Sequence, residues 1–155
     1  MRVALTTLLA LLVCNIAVAD DAEDASAKLY EYFATFNAKD VHKVANEIYS
    51  TPVHIGGGSG HRILADPEAA VENLQTLYEQ IEAQGWAESK ITDLKICLAS
   101  DNLALVDTRY SRIDKQGKAM PPAVRTTLYV LQKIAGDWRV VAFYSHSNDK
   151  RPACD

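Results

Sequence analysis

The sequence predicts an α+β domain: three N-terminal helices packed in the concave face of a strongly curved, mixed but mostly antiparallel sheet, a cone-shaped α+β barrel. Two observations carry this. Apolar residues recur at three-and-four spacing up to Gly85, and the pattern turns strand-like beyond Trp86. The strand-like runs are then joined by turns so short that neighbours must run antiparallel, and helices followed by such a meander bury themselves against one face of it.

Residues 1–19 are expected to be a signal peptide. Arg2 is the single early charge, an apolar run extends from Val3 to Val18, and Ala17-Val18-Ala19 offers small side chains for cleavage before Asp20-Asp21. The run falls short of the roughly 20 apolar residues of a spanning helix and contains Thr6, Thr7 and Asn15, so no stable membrane anchor is expected. A lipid anchor at Cys14 is the rival, disfavoured by the bulk of Val13 before it. Cleavage after Ala19 implies export, to the periplasm or beyond. It leaves a flexible mature start at 20–25, one domain at 26–148 and a tail at 149–155.

Leu29, Tyr32, Phe33 and Phe36 form the apolar stripe of the first helix, with Asp24 or Ser26 as its cap. Asp40 caps a short second helix carrying Val41, Val44, Ala45 and Ile48. Thr51 to Ile55 reads as a short strand, and the glycine-rich 56–60 after it as a flexible loop. Asp66-Pro67-Glu68 then supplies a cap, a proline at the first helical position and an acid in the first turn. The third helix follows, with Val71, Leu74, Leu77, Tyr78 and Ile81 on one face and Gly85 as its stop. Residues 91–98, 103–113, 124–133 and 138–146 are strands, turned at Ser100-Asp101-Asn102, Asp114 to Gly117 and Ala135-Gly136-Asp137.

With 16 Lys and Arg against 20 Asp and Glu, a formal charge of −4 and no basic run, nucleic acid and anionic membranes are not expected partners. Cys97 and Cys154 survive the cleavage, and in an oxidising compartment they either bridge, stapling the tail, or remain two thiols. Neither belongs to a C-x-x-C motif, which leaves redox catalysis and zinc binding unsupported.

Two stretches carry a family resemblance. Tyr32-Phe33-Ala34-Thr35-Phe36-Asn37-Ala38-Lys39-Asp40 is similar to the first-helix ending, and Gly136-Asp137-Trp138-Arg139-Val140-Val141-Ala142-Phe143-Tyr144-Ser145-His146 to the last strand, of the nuclear transport factor 2-like superfamily. That superfamily includes ketosteroid isomerases, SnoaL-like polyketide cyclases and scytalone dehydratase. The resemblance implies a cone cavity and puts Tyr32 at the position of the isomerases' oxyanion-donating tyrosine; a core aromatic is the other reading. The isomerase base would fall at Ile55 to Gly57, where there is no carboxylate. The second oxyanion donor would fall at Thr127, which donates a hydrogen bond but shuttles no proton. Isomerisation by that mechanism is therefore disfavoured.

The same register turns Tyr110, Arg125, Tyr129, Tyr144 and His146 toward the cavity, since alternate residues of a strand share a face, and a slip of one would reverse them. Arg125 is then a carboxylate clamp, or else a solvated strand end. His54 and His61 flank the glycine run and with His146 either meet at the cavity mouth as acid–base groups or stay polar loop residues. None of the four histidines, His42 on the second helix included, has metal-binding spacing, so no metal or other cofactor is expected. The expected activity is binding of a small apolar or aromatic molecule in the cone, with or without isomerase, cyclase or dehydratase chemistry. The alternative is a non-catalytic dimeric module with a filled core, because Leu128, Val130, Val141 and Phe143 read as apolar on the outward face. A homodimer is the expected assembly.

Overall fold

The computed structural model describes residues 12–58 and 60–153, with side chains from Asp21 onward. The first eleven residues of the expected signal peptide, and Cys154, lie outside the described residues. Helix α1, Leu12–Asn37, runs unbroken through residues 20–25, where the sequence suggests a frayed start. Tertiary contacts account for the difference: Ala25 is fully buried, and the Asp21 carboxylate pairs with Lys133 on the sheet.

The stripe Leu29, Tyr32, Phe33 and Phe36 is buried along its length, each large apolar side chain contributing about 1.5–3 kcal/mol. Asn37 at the end of α1 behaves like one more peptide of the sheet. Its Nδ2 donates to the Ser89 carbonyl at 2.9 Å, and its Oδ1 accepts from the Ser89 amide at 2.8 Å. Lys39 reverses the chain with φ 60°, and Asp40 Oδ1 accepts from the Lys43 amide at 2.9 Å, capping α2, Val41–Lys43. The expected second helix divides here, passing into one π-helical turn at Val44–Ile48 that buries Val44, Ala45 and Ile48.

Strands β1, Tyr49–Gly57, and β2, Gly60–Leu64, pair antiparallel from Val53↔Leu64 to Gly57↔Gly60. The glycine run is thus the tip of a hairpin. The sequence hides β2 because Leu64 alone among its side chains is buried. Helix α3, Pro67–Ala83, begins as expected, with Asp66 Oδ1 accepting from the Ala69 amide at 2.8 Å. Its Tyr78 hydroxyl donates to the Phe36 carbonyl at 2.7 Å, tying it to the last turn of α1.

Strands β3, Trp86–Ser100, β4, Leu103–Asp114, β5, Arg125–Ile134, and β6, Asp137–His146, complete a six-stranded sheet of order β2-β1-β6-β5-β4-β3. β1 runs parallel to β6 and all other pairs are antiparallel. The sheet stays open, with β2 and β3 as edges, so the cone is not a closed barrel. β3 starts five residues earlier than its apolar run suggests. Trp86 is 1% exposed, packs on Phe36 and Tyr78, and donates from Nε1 to Ser89 Oγ at 3.1 Å.

One irregularity decides which side chains face inward. In β6, Val140 pairs with Leu131 but Ala142 pairs with Val130, leaving Val141 as an extra residue, a β-bulge. Trp138 and Val140 point to the core before it, and Phe143 and Ser145 do so after it. The slip reverses the expected parity. Phe143 lines the interior instead of the outer face, and Tyr144 and His146 lie outside.

On the outer face the Tyr144 ring covers Gly56. A Cβ built there would stand 2.4 Å from Tyr144 Cδ1 and 2.7 Å from Cε1, so glycine is required by proximity. Gly56→Ala is expected to cost about 1–3 kcal/mol, and much less in a Tyr144→Ala background. A double-mutant cycle by urea unfolding measures this, and equal costs in both backgrounds would contradict the contact.

Candidate functional site

Between α1, α3 and the inner face of the sheet lies a cavity of about 300 Å³. Its walls are largely aromatic: Tyr32 and Phe33 from α1, Tyr49 from β1, Tyr110 from β4, Tyr129 from β5 and Phe143 from β6. Ring centroids are 5.3 Å apart for Phe33 and Tyr110, 5.7 Å for Tyr32 and Tyr129, and 5.7 Å for Tyr129 and Phe143. Most of these pairs meet edge to face or tilted, as aromatic quadrupoles prefer. The remaining walls come from Phe36, Leu74 and Leu77, with Asn73, Ser89, Thr127 and Ser145 as neutral polar groups.

The phenols of Tyr32, Tyr49 and Tyr129 form a buried cluster around the Tyr32 oxygen, with Tyr32 and Tyr49 hydroxyls 3.2 Å apart. Burial pushes Tyr32 up from 10 to about 12, and hydrogen bonding from Tyr49 and Tyr129 works against that rise. Tyr49 and Tyr129 are pushed well above their ordinary value, again chiefly by burial. All three are therefore neutral hydroxyls near neutral pH, able to donate a hydrogen bond to a ligand oxygen.

Of the positions expected in the site, the structure brings Tyr32, Tyr110, Thr127 and Tyr129 to the cavity wall. Four others lie elsewhere. Arg125 is turned to the loop before β5, where its guanidinium donates to the carbonyls of Met120 at 3.1 Å, Pro121 at 2.7 Å and Pro122 at 2.7 Å. Its charge therefore braces a loop. His54 faces outward and stacks on His61, with Nδ1 to Nε2 3.3 Å. Tyr144 is 37% exposed beside them, displaced by the bulge.

His146 Nε2 sits 2.6 Å from Oδ1 of Asp107, which is 2% exposed on the outer face. Arg151 reaches back from the tail to Asp107 Oδ2 at 2.5 Å and also pairs with Asp93. Arg109 donates to the Asn148 carbonyl at 3.1 Å, and Lys95 to that of Pro152 at 3.3 Å. The tail is thus strapped over β3 and β4, and the network ties strand to tail instead of serving the cavity. Cys97 is disulfide-bonded, and its partner lies outside the described side chains, where both Cys14 and Cys154 fall. Among the described residues no three His, Cys, Asp or Glu side chains come together as metal ligands.

Sequence reasoning misses two arginines on the wall, Arg62 and Arg112. Arg112 was within reach of parity, since it lies two residues beyond Tyr110 on β4. Arg62 was hidden with the strand that carries it; it sits two residues beyond Gly60 at the hairpin tip, opposite the cavity-lining Ile55.

A family model described as NTF2-like protein (DUF6841) matches residues 22–148. No curated protein matches the chain. Among solved structures, an NTF2-like protein with a cystatin-like fold from Novosphingobium aromaticivorans is 11% identical, with a TM-score of 0.74 over 94% of each chain. A ketosteroid isomerase-like protein from Erwinia carotovora atroseptica is 19% identical, with a TM-score of 0.62 over 82% of this chain and 97% of that one. An NTF2-like superfamily protein from Salmonella enterica is 13% identical, with a TM-score of 0.61 over 87% and 96%. At such identities the likeness is one of fold.

The buried phenols set a pH dependence. Because the folded chain holds them neutral, the unfolded chain ionises first as pH rises. Their stabilisation is whole below pH 10 and is lost as pH climbs through about 12 for Tyr32, with Tyr49 and Tyr129 raised by burial in the same direction. Unfolding free energy from urea titrations is expected to fall between these values. Tyr32→Phe should take about 1.4 kcal/mol per pH unit off that slope, and an unchanged slope would contradict the assignment.

Proposed function

The chain belongs to the NTF2-like protein family DUF6841 over residues 22–148, and on that premise we propose that it is an exported protein binding a small apolar or aromatic molecule in its cone. The observation that carries this is the aromatic cavity with three neutral phenols in its wall. Ligand sites are concave and mostly apolar, with a few placed polar groups that fix orientation, and a volume of about 300 Å³ stands at the small end of such sites.

Binding is favoured over proton-transfer catalysis. Among the described lining residues there is no carboxylate and no imidazole, so the wall holds donors for an oxyanion but no base of suitable strength. One solved neighbour is described as ketosteroid isomerase-like. This chain keeps the tyrosine donor at residue 32 and has Ile55, Gly56 and Gly57 where that resemblance calls for a base.

Thermal unfolding with a panel of aromatic and alicyclic compounds tests the binding. At about 100 times Kd a ligand adds about 2.7 kcal/mol, a rise of several degrees. Tyr32→Phe is expected to weaken oxygen-bearing ligands by about tenfold, the worth of a buried hydrogen bond. No rise with any member of the panel would sink the proposal.

Export is supported by the order of charge, apolar run and small residues at the N-terminus and by the disulfide at Cys97, a bond that persists in oxidising compartments. N-terminal sequencing of the protein from the periplasm or medium is expected to begin at Asp20. A chain beginning at Met1 in the cytosol would overturn it.

A further inference from the structure

Arginine in this chain is normally committed. Arg125 braces three carbonyls, Arg109 holds the Asn148 carbonyl, Arg139 pairs with Asp137 and donates to the Asn46 carbonyl, and Arg151 bridges Asp107 and Asp93. Among the described residues, Arg62 and Arg112 are the arginines whose side chains make neither a hydrogen bond nor an ion pair, and both line the same cavity. No Asp or Glu lines it with them. The carboxylate nearest in sequence on the same strand, Asp114, is taken up by the amides of Gln116 and Lys118 at 2.9 Å each.

Arg112 is half-buried on β4. Its Nε is buried with no acceptor, a state that folded proteins rarely leave without compensation. Its charge also reaches the Tyr32 and Tyr129 hydroxyls in the sense that favours negative charge there. A positive interior in a chain of net charge −4 is a local feature of this cavity, since the molecule as a whole is acidic. Arg62 is exposed on the hairpin that rims the cavity, where a second positive charge draws an anion toward the opening.

We infer that the cavity is a receptor for a small organic acid, its carboxylate taken by Arg112 with Arg62 at the mouth and its apolar body held by Phe33, Phe36 and Leu74. This rests on the cavity being a ligand site and adds the charge of the ligand. A guanidinium presents paired donors to a carboxylate, which an ammonium or a hydroxyl does not. The acid supplies the acceptors that the Arg112 guanidinium lacks within the chain.

The experiment compares matched pairs by calorimetry on the purified full chain: benzoate with benzyl alcohol, 2-naphthoate with 2-naphthalenemethanol, decanoate with decanol. At least one acid is expected to bind about tenfold or more tighter than its alcohol, with a preference that shrinks as salt is raised. Arg112→Met should abolish the preference, read as the ratio of acid to alcohol affinity on the same variant. Arg62→Gln, at an exposed position, should lower the ratio of acid to alcohol affinity by about threefold. Equal affinity for acid and alcohol, or an acid preference that survives Arg112→Met, overturns the anion receptor while leaving a neutral-ligand cavity standing. Binding of neither class overturns both readings together.

Discussion

The aromatic face of α1 has to leave water, and the surface that takes it is the inner face of the sheet. Tyr32, Phe33 and Phe36 pack against Tyr49, Tyr110, Tyr129 and Trp86, so helix and strands share a single layer of rings. Asn37 fixes where the helix stops by joining the hydrogen bonding of β3, and Tyr78 brings α3 onto the same turn. The cavity opens among these rings. Core and site are therefore one construction, with the phenol oxygens of Tyr32, Tyr49 and Tyr129 as its polar end.

The single extra residue at Val141 sets the chemistry of the last strand. Without it, Tyr144 and His146 would look into the cone, and a titratable imidazole would stand in the wall. With it, Phe143 and Ser145 take those places, and the imidazole faces Asp107 outside. A bulge shifts side-chain parity at small cost to the ladder, so one residue moves the wall from an acid–base character to an apolar one.

Inside and outside handle charge in opposite ways. Outside, Asp107 and Asp93 are matched by His146 and Arg151, and the tail lies fastened over the sheet. At the cavity, half-buried Arg112 and exposed Arg62 on the rim stand among hydroxyls, amides and rings with no carboxylate in the wall.

Periodicity and turn chemistry determined the α+β class, the helix stripes, the Asp66-Pro67 start of α3 and the antiparallel meander, because these depend on neighbours a few residues apart. The family resemblance, with the alternation of strand faces, put Tyr32, Tyr110, Thr127 and Tyr129 on one inner surface. Tertiary structure alone decided the rest. The hairpin strand carrying Arg62 has no apolar alternation of its own and exists by pairing with β1. The bulge at Val141 is a property of two strands together and carries no local signal. Whether an arginine is a clamp or a brace depends on which acceptors reach it: Arg125 finds three carbonyls on its own loop, and Arg112 finds none.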